Sequence, residues 1–395
     1  MKNLFRQLKH YTLESILGPL FKLLEAMFEL FVPLVVADII DNGIANSDNA
    51  YILGKVGILA SLALIGLVCS LTAQYFAARA AVGTTTKLRH SLFEHVGKLS
   101  FSDIDRIGIS TLITRLTGDL NQVQNGVNIA LRLLLRSPFV VLGAMVMAFF
   151  IDARAALIFL CVIAFLSVVV FGIILGSIPA YKRVQGNLDK ITGTTRENLT
   201  GVRVIRAFGM EKAEADKFGN YNAELKKSQQ FAGMISAFMN PVTQVILNVG
   251  IVLLLRSGAI RVNAGDLTTG QVVALYNYMT QILVELVKFA NLIITITKSI
   301  SSMKRVDEVL ETAPDMLFPK ETAESRDTKY AVEFRSVSLN YTGEGDDSLS
   351  DITFALEKGQ TVGIIGGTGS GKTSLVNLIL RFYDTTEGEV LVDGI

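Results

Sequence analysis

Charged residues are absent from three long stretches of the chain, residues 56–78, 155–180 and 231–255. Each is long enough for a helix to cross the hydrocarbon core, which takes roughly 20 apolar residues. Residues 137–151 are also uncharged, and their apolar run extends backwards through 131–135, broken by Arg132 and Arg136. Residues 267–284 continue as 289–297, and residues 12–37 are apolar apart from Lys22, Glu25 and Glu29. The pattern predicts six membrane-crossing helices. Between the second and third, and between the fourth and fifth, residues 79–128 and 182–228 are rich in Leu, Glu, Lys, Arg and Ala with few breakers. They read as helices that leave the membrane and return. The second hairpin reaches about 35 Å out, at 1.5 Å per residue each way.

After residue 297 the pattern changes. Residues 298–329 are charged and contain Pro314 and Pro319, as a linker would. Short strand patterns follow at 331–339, 351–356, 361–365 and 389–392, with a helical run at 373–382. The expected division is a membrane domain over 1–300, a linker over 301–330 and the start of an α/β domain over 331–395.

Composition supports a membrane protein: 50% of the 395 residues are hydrophobic and 18% are charged, with mean hydropathy +0.44. Soluble domains carry about 25% charge. The net charge of +1 excludes a bulk basic nucleic-acid binder and an acidic disordered chain. The only cysteines, Cys69 and Cys161, sit in apolar runs and read as small core residues, without metal-ligand spacing. Charge placement sets the orientation. Lys2, Arg6 and Lys9 precede the first span, and the two long connections are rich in Lys and Arg. Residues 41–51 have neither, so both termini are expected in the cytoplasm.

The strongest chemical signal is Gly366-Gly367-Thr368-Gly369-Ser370-Gly371-Lys372-Thr373, which fits G-x-x-x-x-G-K-[ST] between a strand and a helix. Glycines let consecutive backbone N–H groups converge on phosphate oxygens, and a helix N-terminus adds its positive dipole end. Lys372 is expected to reach the β- and γ-phosphates, the Thr373 hydroxyl to bind Mg²⁺, and Ser374 to reach the α-phosphate of ATP. Tyr341, 25 positions before Gly366, is either a base-stacking ring or a half-exposed strand-end tyrosine.

Inside the membrane, Asn277, Gln281, Glu285, Lys288, Asn291 and Thr295 fall on one face of the sixth span. Asn240, Gln244 and Asn248 recur at i+4 on the fifth. Charges at mid-bilayer cost about 2.5–3.5 kcal/mol on insertion scales, so such faces should turn inward. One reading is a wet, substrate-binding cavity. The other is structural pairing, through Glu285–Lys288 and Lys22–Glu25. Arg132 and Arg136 are expected to snorkel to headgroups.

Six spans, helical stalks and a C-terminal phosphate loop together resemble one half of an ABC transporter of the exporter type, closest in look to bacterial multidrug exporters built as heterodimers. Residues 110–119 (STLITRLTGD), 197–208 (ENLTGVRVIRAF) and 388–394 (GEVLVDG) are similar to that family's segments. The resemblance implies coupling elements near Phe101–Arg106 and at Phe208, Met210 and Lys212. It implies adenine stacking for Tyr341, and a second half-transporter as partner, a heterodimer being favoured over a homodimer. It implies ATP-driven export of a small amphipathic or hydrophobic substrate across the cell membrane. The family's Walker B carboxylates, signature motif and switch histidine would lie beyond Ile395. The 395-residue chain is therefore expected to be part of a longer protein and inactive in ATP hydrolysis alone, with no catalytic residue of its own. Two other readings are an ATP-binding, poorly hydrolysing subunit and an ATP-gated channel. The spans exclude a soluble P-loop kinase.

Overall fold

The computed structural model describes residues 1–316, 328–341 and 345–395. Helices come first: α1 (Lys2–Leu8), α2 (Thr12–Asp38), α3 (Asn49–Val96), α4 (Phe101–Ile107), α5 (Ile109–Thr114), α6 (Leu120–Leu133), α7 (Arg136–Ile151), α8 (Ala153–Thr200), α9 (Val202–Ala207), α10 (Glu211–Asn263) and α11 (Thr269–Glu311). Strands β1 (Tyr330–Leu339) and β2 (Leu349–Glu357), helix α12 (Lys372–Ile379) and strand β3 (Glu387–Val392) follow. The protein is a membrane helical bundle with long helical extensions, followed by a small α/β region.

Among the described residues, five helical stretches are long and apolar enough to cross a membrane: Asn49–Val96, Ile109–Ile151, Ala153–Thr200, Glu211–Asn263 and Thr269–Glu311. The first expected span is α2, whose 27 residues carry Glu14, Lys22, Glu25 and Glu29. Its charges are matched locally. Lys22 Nζ donates to both Glu25 oxygens at 2.8 and 2.6 Å and to Ser70 Oγ of α3 at 3.2 Å. Glu14 meets Arg79 of α3 at 3.4 Å. The Lys22–Glu25 pairing read from the i,i+3 spacing is thus present.

The two long connections are helical, as their composition predicts, with breaks around α4 and α5 in the first and around α9 in the second. Helix α3 has 48 residues, α8 has 48 and α10 has 53. Helix α11 likewise carries on through residue 311, so the first part of the expected linker is helical. Pro319 lies outside the described residues.

The chain packs as two compact units that interleave along the sequence. One comprises Tyr11–Ala81 and Gly126–Thr297. Its core joins Ala26 and Leu30 of α2, Val140 and Ala144 of α7, Phe159 and Leu166 of α8, Leu247 and Leu254 of α10, and Tyr278 and Ile282 of α11. The small residues let helices approach: a Cβ built on Gly250 would stand 2.7 Å from Val162 Cγ2, closer than real Cβ atoms come. Cys69 is buried, whereas Cys161 is exposed on α8 and not in the core as expected; both are free thiols.

The other unit comprises Met1–His10, Val82–Asn125 and Lys298–Ile395. Its sheet is antiparallel with order β2-β1-β3. Phe334 of β1 faces Phe354 of β2 and Val390 of β3. Under the sheet, Phe334, Val337, Leu339 and Leu349 pack with Leu375 and Leu378 of α12. The expected strand at 361–365 is irregular chain instead. Central β1 already pairs on both edges, and no described segment offers this run a ladder of hydrogen bonds. Its apolar side chains consequently stand out, Ile365 being 99% exposed.

Candidate phosphate-binding loop and its docking helix

The glycine-rich turn leads into α12 as the spacing requires. Gly369 and Gly371 hold φ of +85° and +80°, backbone that L side chains rarely adopt. Gly371 also needs to be small, because a Cβ there would meet Leu349 Cδ2 at 2.7 Å and the Ser348 carbonyl oxygen at 2.9 Å. The first i→i−4 bond of the helix runs from the Leu375 N–H to the Gly371 oxygen at 2.9 Å. The amides of Lys372, Thr373 and Ser374 precede it, so they have no partner inside the helix. No side chain caps this end.

Lys372 folds across the loop. Its Nζ donates to the carbonyl oxygens of Gly366 at 2.9 Å and Gly367 at 2.6 Å, and to Ser370 Oγ at 3.2 Å. The cation thus lies over the turn, where the Ser370 N–H donates to the Gly367 oxygen at 3.4 Å. Thr368, Ser370 and Thr373 are exposed. A cation over a glycine-rich turn, ahead of free helix amides, is a cradle for phosphate oxygens. Among the described residues no three His, Cys, Asp or Glu side chains gather where they could hold a metal ion. A Mg²⁺ here would rely on Thr373 and on phosphate oxygens.

The structure brings Tyr341 to this loop. Its hydroxyl donates to Ser374 Oγ at 2.8 Å, and the residue is 41% exposed. Its edge meets the Tyr383 ring, with centroids 4.7 Å apart at 85°. Tyr383 leads on to α4. Phe101 of α4 packs on Phe382 at 4.6 Å and lies 6.2 Å from the Tyr383 ring, and the Tyr383 hydroxyl donates to Asp105 Oδ2 at 2.8 Å. Burial first, then the Asp105 bond and charge, push the Tyr383 phenol up to about 12. It stays a donor at any ordinary pH.

Helix α4 is short, and its start is fixed by a reciprocal cap. Ser100 Oγ accepts from the Asp103 N–H at 3.1 Å while Asp103 Oδ2 accepts from the Ser100 N–H at 3.3 Å. Asp103 is fully buried and also accepts from the Asp315 N–H at 3.1 Å. Burial is the largest single influence on its carboxyl and pushes it up. The hydrogen bonds from Asp315 and Ser100 together outweigh burial and hold it below the usual value. Arg106 closes the helix by pairing with Asp103 at 2.5 Å and Asp315 at 3.8 Å.

Residues 15–286 match the family model of the ABC transporter transmembrane region, and residues 349–395 match the ABC transporter model. The chain belongs to the ABC transporter family. It is 32% identical over 375 residues to an uncharacterized ABC transporter ATP-binding protein of Mycobacterium tuberculosis, covering 95% of this chain and 64% of the relative. It is 30% identical over 386 residues to another of Bacillus subtilis, covering 98% of this chain and 67% of that one. An ATP-dependent lipid A-core flippase of Syntrophus aciditrophicus is 29% identical over 311 residues, 78% of this chain and 51% of the flippase. The chain therefore spans less than two thirds of the length of the mycobacterial relative.

Within the membrane unit of this ABC transporter chain, the polar residues sort into two groups. Asn240 and Gln244 are exposed on α10, and Asn277 and Gln281 are half-buried on α11. Glu285 is 2% exposed, away from any open face. Arg136 of α7 donates to Glu285 Oε1 at 2.6 Å and to Glu29 Oε2 of α2 at 2.5 Å. Ser137 and Lys288 each donate to Glu285 at 2.9 Å. Glu285 is thus a buried, paired carboxylate. Arg136 is 7% exposed, which overturns the expectation that it snorkels. Two carboxylates on neighbouring helices stabilise a buried guanidinium more than a distant headgroup does. Sequence spacing could not reveal this, since Arg136 and Glu285 lie 149 positions apart.

Of the expected coupling residues, Phe101 and Arg106 sit on α4 as described. Phe208 and Met210 form the turn between α9 and α10, 76% and 49% exposed, and Lys212 is exposed at the start of α10.

Proposed function

We propose that this chain is the membrane domain and first part of the nucleotide-binding domain of an exporter-type half-transporter that binds Mg-ATP at residues 366–374. The observation that carries the reading is the Lys372 ammonium held over a glycine-rich turn at the open end of α12, with Tyr341 bonded to Ser374 beside it. Mg²⁺ when bound would neutralise phosphate charge at the Thr373 hydroxyl. Lys372 exchanges its bonds to the Gly366 and Gly367 oxygens for phosphate oxygens. Tyr341 releases Ser374 and offers its ring to the base. The division at 1–300, 301–330 and 331–395 belongs to this proposal.

The partner in this reading is a second half-transporter, preferably a different chain, with both termini of this chain in the cytoplasm. The relative named a lipid A-core flippase supports an amphipathic or hydrophobic substrate. Helix α4 and the exposed Phe208–Met210 turn are its contacts to nucleotide domains. The test is Lys372→Ala in the full-length protein reconstituted in vesicles. ATP-dependent transport is expected to vanish. Transport at the wild-type rate would refute the assignment.

A further inference from the structure

We propose that a groove between α8 and α10, at the base of their long hairpin, binds the headgroup of an anionic phospholipid. The groove has a volume of about 390 Å³. Its apolar lining is Gly176, Pro179, Ala180, Phe231 and Ile235, and Arg183, Lys227 and Ser228 complete it.

Position is the first argument. The uncharged run 155–180 ends at this level of α8, and the uncharged run 231–255 begins at the same level of α10. Both helices therefore leave the hydrocarbon here, so the apolar lining meets acyl chains while the two cations meet headgroups. A free phosphate ion would use the cations and leave the apolar half unused. A phospholipid uses both.

Charge is the second argument. Farther along the hairpin the lysines face carboxylates: Lys190 lies 3.9 Å from Glu224, and Lys217 lies 4.0 Å from Glu197 and 3.6 Å from Glu214. Among the described residues Arg183 and Lys227 have no ion-pair partner, and no Asp or Glu lines the groove. Two unneutralised cations on facing helices repel each other unless an anion sits between them.

The two walls of the groove are also fixed to each other. Asn187 Nδ2 donates to Ser228 Oγ at 2.9 Å, and the hydroxyls of Tyr181 and Ser236 bond at 2.9 Å. These two cross-links tie α8 to α10 next to the groove. The groove has room besides, since a Cβ built on Gly176 meets nothing within 4 Å.

The test uses the full chain in phosphatidylcholine nanodiscs doped with spin-labelled phosphatidylglycerol or spin-labelled phosphatidylcholine. The protein should favour the anionic label, and Arg183→Gln with Lys227→Gln should cut that preference roughly thirtyfold, each surface cation contributing about 1 kcal/mol. The exchange Arg183→Lys with Lys227→Arg should keep it, as should Lys190→Gln outside the groove. Gly176→Leu should lower binding of the anionic label with both cations in place. Absence of preference in the unmodified chain, or unchanged preference in both the double-Gln and Gly176→Leu chains, overturns the proposal. Displacement of the label by soluble glycerol phosphate would mark a plain anion site instead. Cross-linking of Gly176→Cys to a second polypeptide in place of lipid would assign the groove to a subunit contact.

Discussion

The Tyr383 hydroxyl donates to an Asp105 carboxylate oxygen across 2.8 Å, joining residues 278 positions apart. Tyr383 touches the Tyr341 ring on one side and Phe101 on the other. A shift of Tyr341, as the proposed stacking on a nucleotide base would require, would thereby be felt at α4. The bond is solvent-facing, so its net worth is about 0.5–1.5 kcal/mol. A double-mutant cycle of Tyr383→Phe and Asp105→Asn, read by thermal unfolding of the full-length protein, should give a coupling energy in that range. Strict additivity would show that the two side chains do not interact in solution.

Asp103 predicts a pH dependence. Its carboxyl is held below the ordinary value of 3.8 in the folded protein. The unfolded chain therefore binds the proton more readily, and the stabilisation is full above that value and fades as pH falls below it. Asp103→Asn should lower stability by about 1–2 kcal/mol near neutral pH, through loss of the cap and of the Asp315 tie. The gap between wild type and variant should stay level from pH 8 to about 5 and narrow as pH falls through the carboxylate range. Chemical unfolding at a series of pH values measures this. A gap that widens on acidification would contradict the assignment.

Gly371 allows a backbone test of the phosphate loop that leaves every charge in place. Its φ is +80°, and Leu349 Cδ2 would lie only 2.7 Å from an added methyl, so Gly371→Ala must distort the turn or push β2 aside. The expected cost is about 1–3 kcal/mol, the range for strained backbone. Binding of a fluorescent ATP analogue should fall steeply, whereas Gly367→Ala, whose Cβ meets nothing within 4 Å, should keep more of it. Equal binding by both variants would remove the steric argument.

What the sequence makes legible follows from the range of each interaction. The spans and the long helices of the hairpins rest on composition and i,i+4 periodicity, both local, and α3, α8 and α10 follow the pattern closely. The phosphate loop is local too, because glycine spacing and the following helix N-terminus are set within a single short segment, residues 366–374. Segment 361–365 reads as a strand by the same local logic, yet stays outside the β2-β1-β3 sheet, because pairing depends on a partner segment that local sequence does not name. Arg136 shows the limit most clearly. An arginine flanking an apolar run reads as a snorkelling residue until Glu29 and Glu285 arrive from two other helices. The contact of Phe101 with Phe382 is equally invisible, since nothing in either segment names the other.

The same arginine supports the last prediction. Arg136 joins α7 to Glu29 of α2 and to Glu285 of α11, inside a bundle where water is scarce. Breaking one partner out of a buried ion pair costs about 3–5 kcal/mol, because the remaining charge stays buried. Arg136→Met leaves Glu285 with Lys288 and Ser137 alone and Glu29 without its guanidinium, so it should destabilise strongly. Glu285→Gln should cost less, as the amide oxygen still accepts from Arg136 and Glu29 still neutralises it. Replacing both buried partners, Arg136→Met with Glu285→Leu, should recover a large part of the loss, since the charge then left without Arg136 is Glu29, whose side chain is 42% exposed. Thermal unfolding in detergent of the wild type, the single variants and the double variant gives the comparison. A double variant as unstable as the sum of Arg136→Met and Glu285→Leu measured singly would mean that the two charges stand apart in the membrane, and that the three helices are held by their apolar core alone.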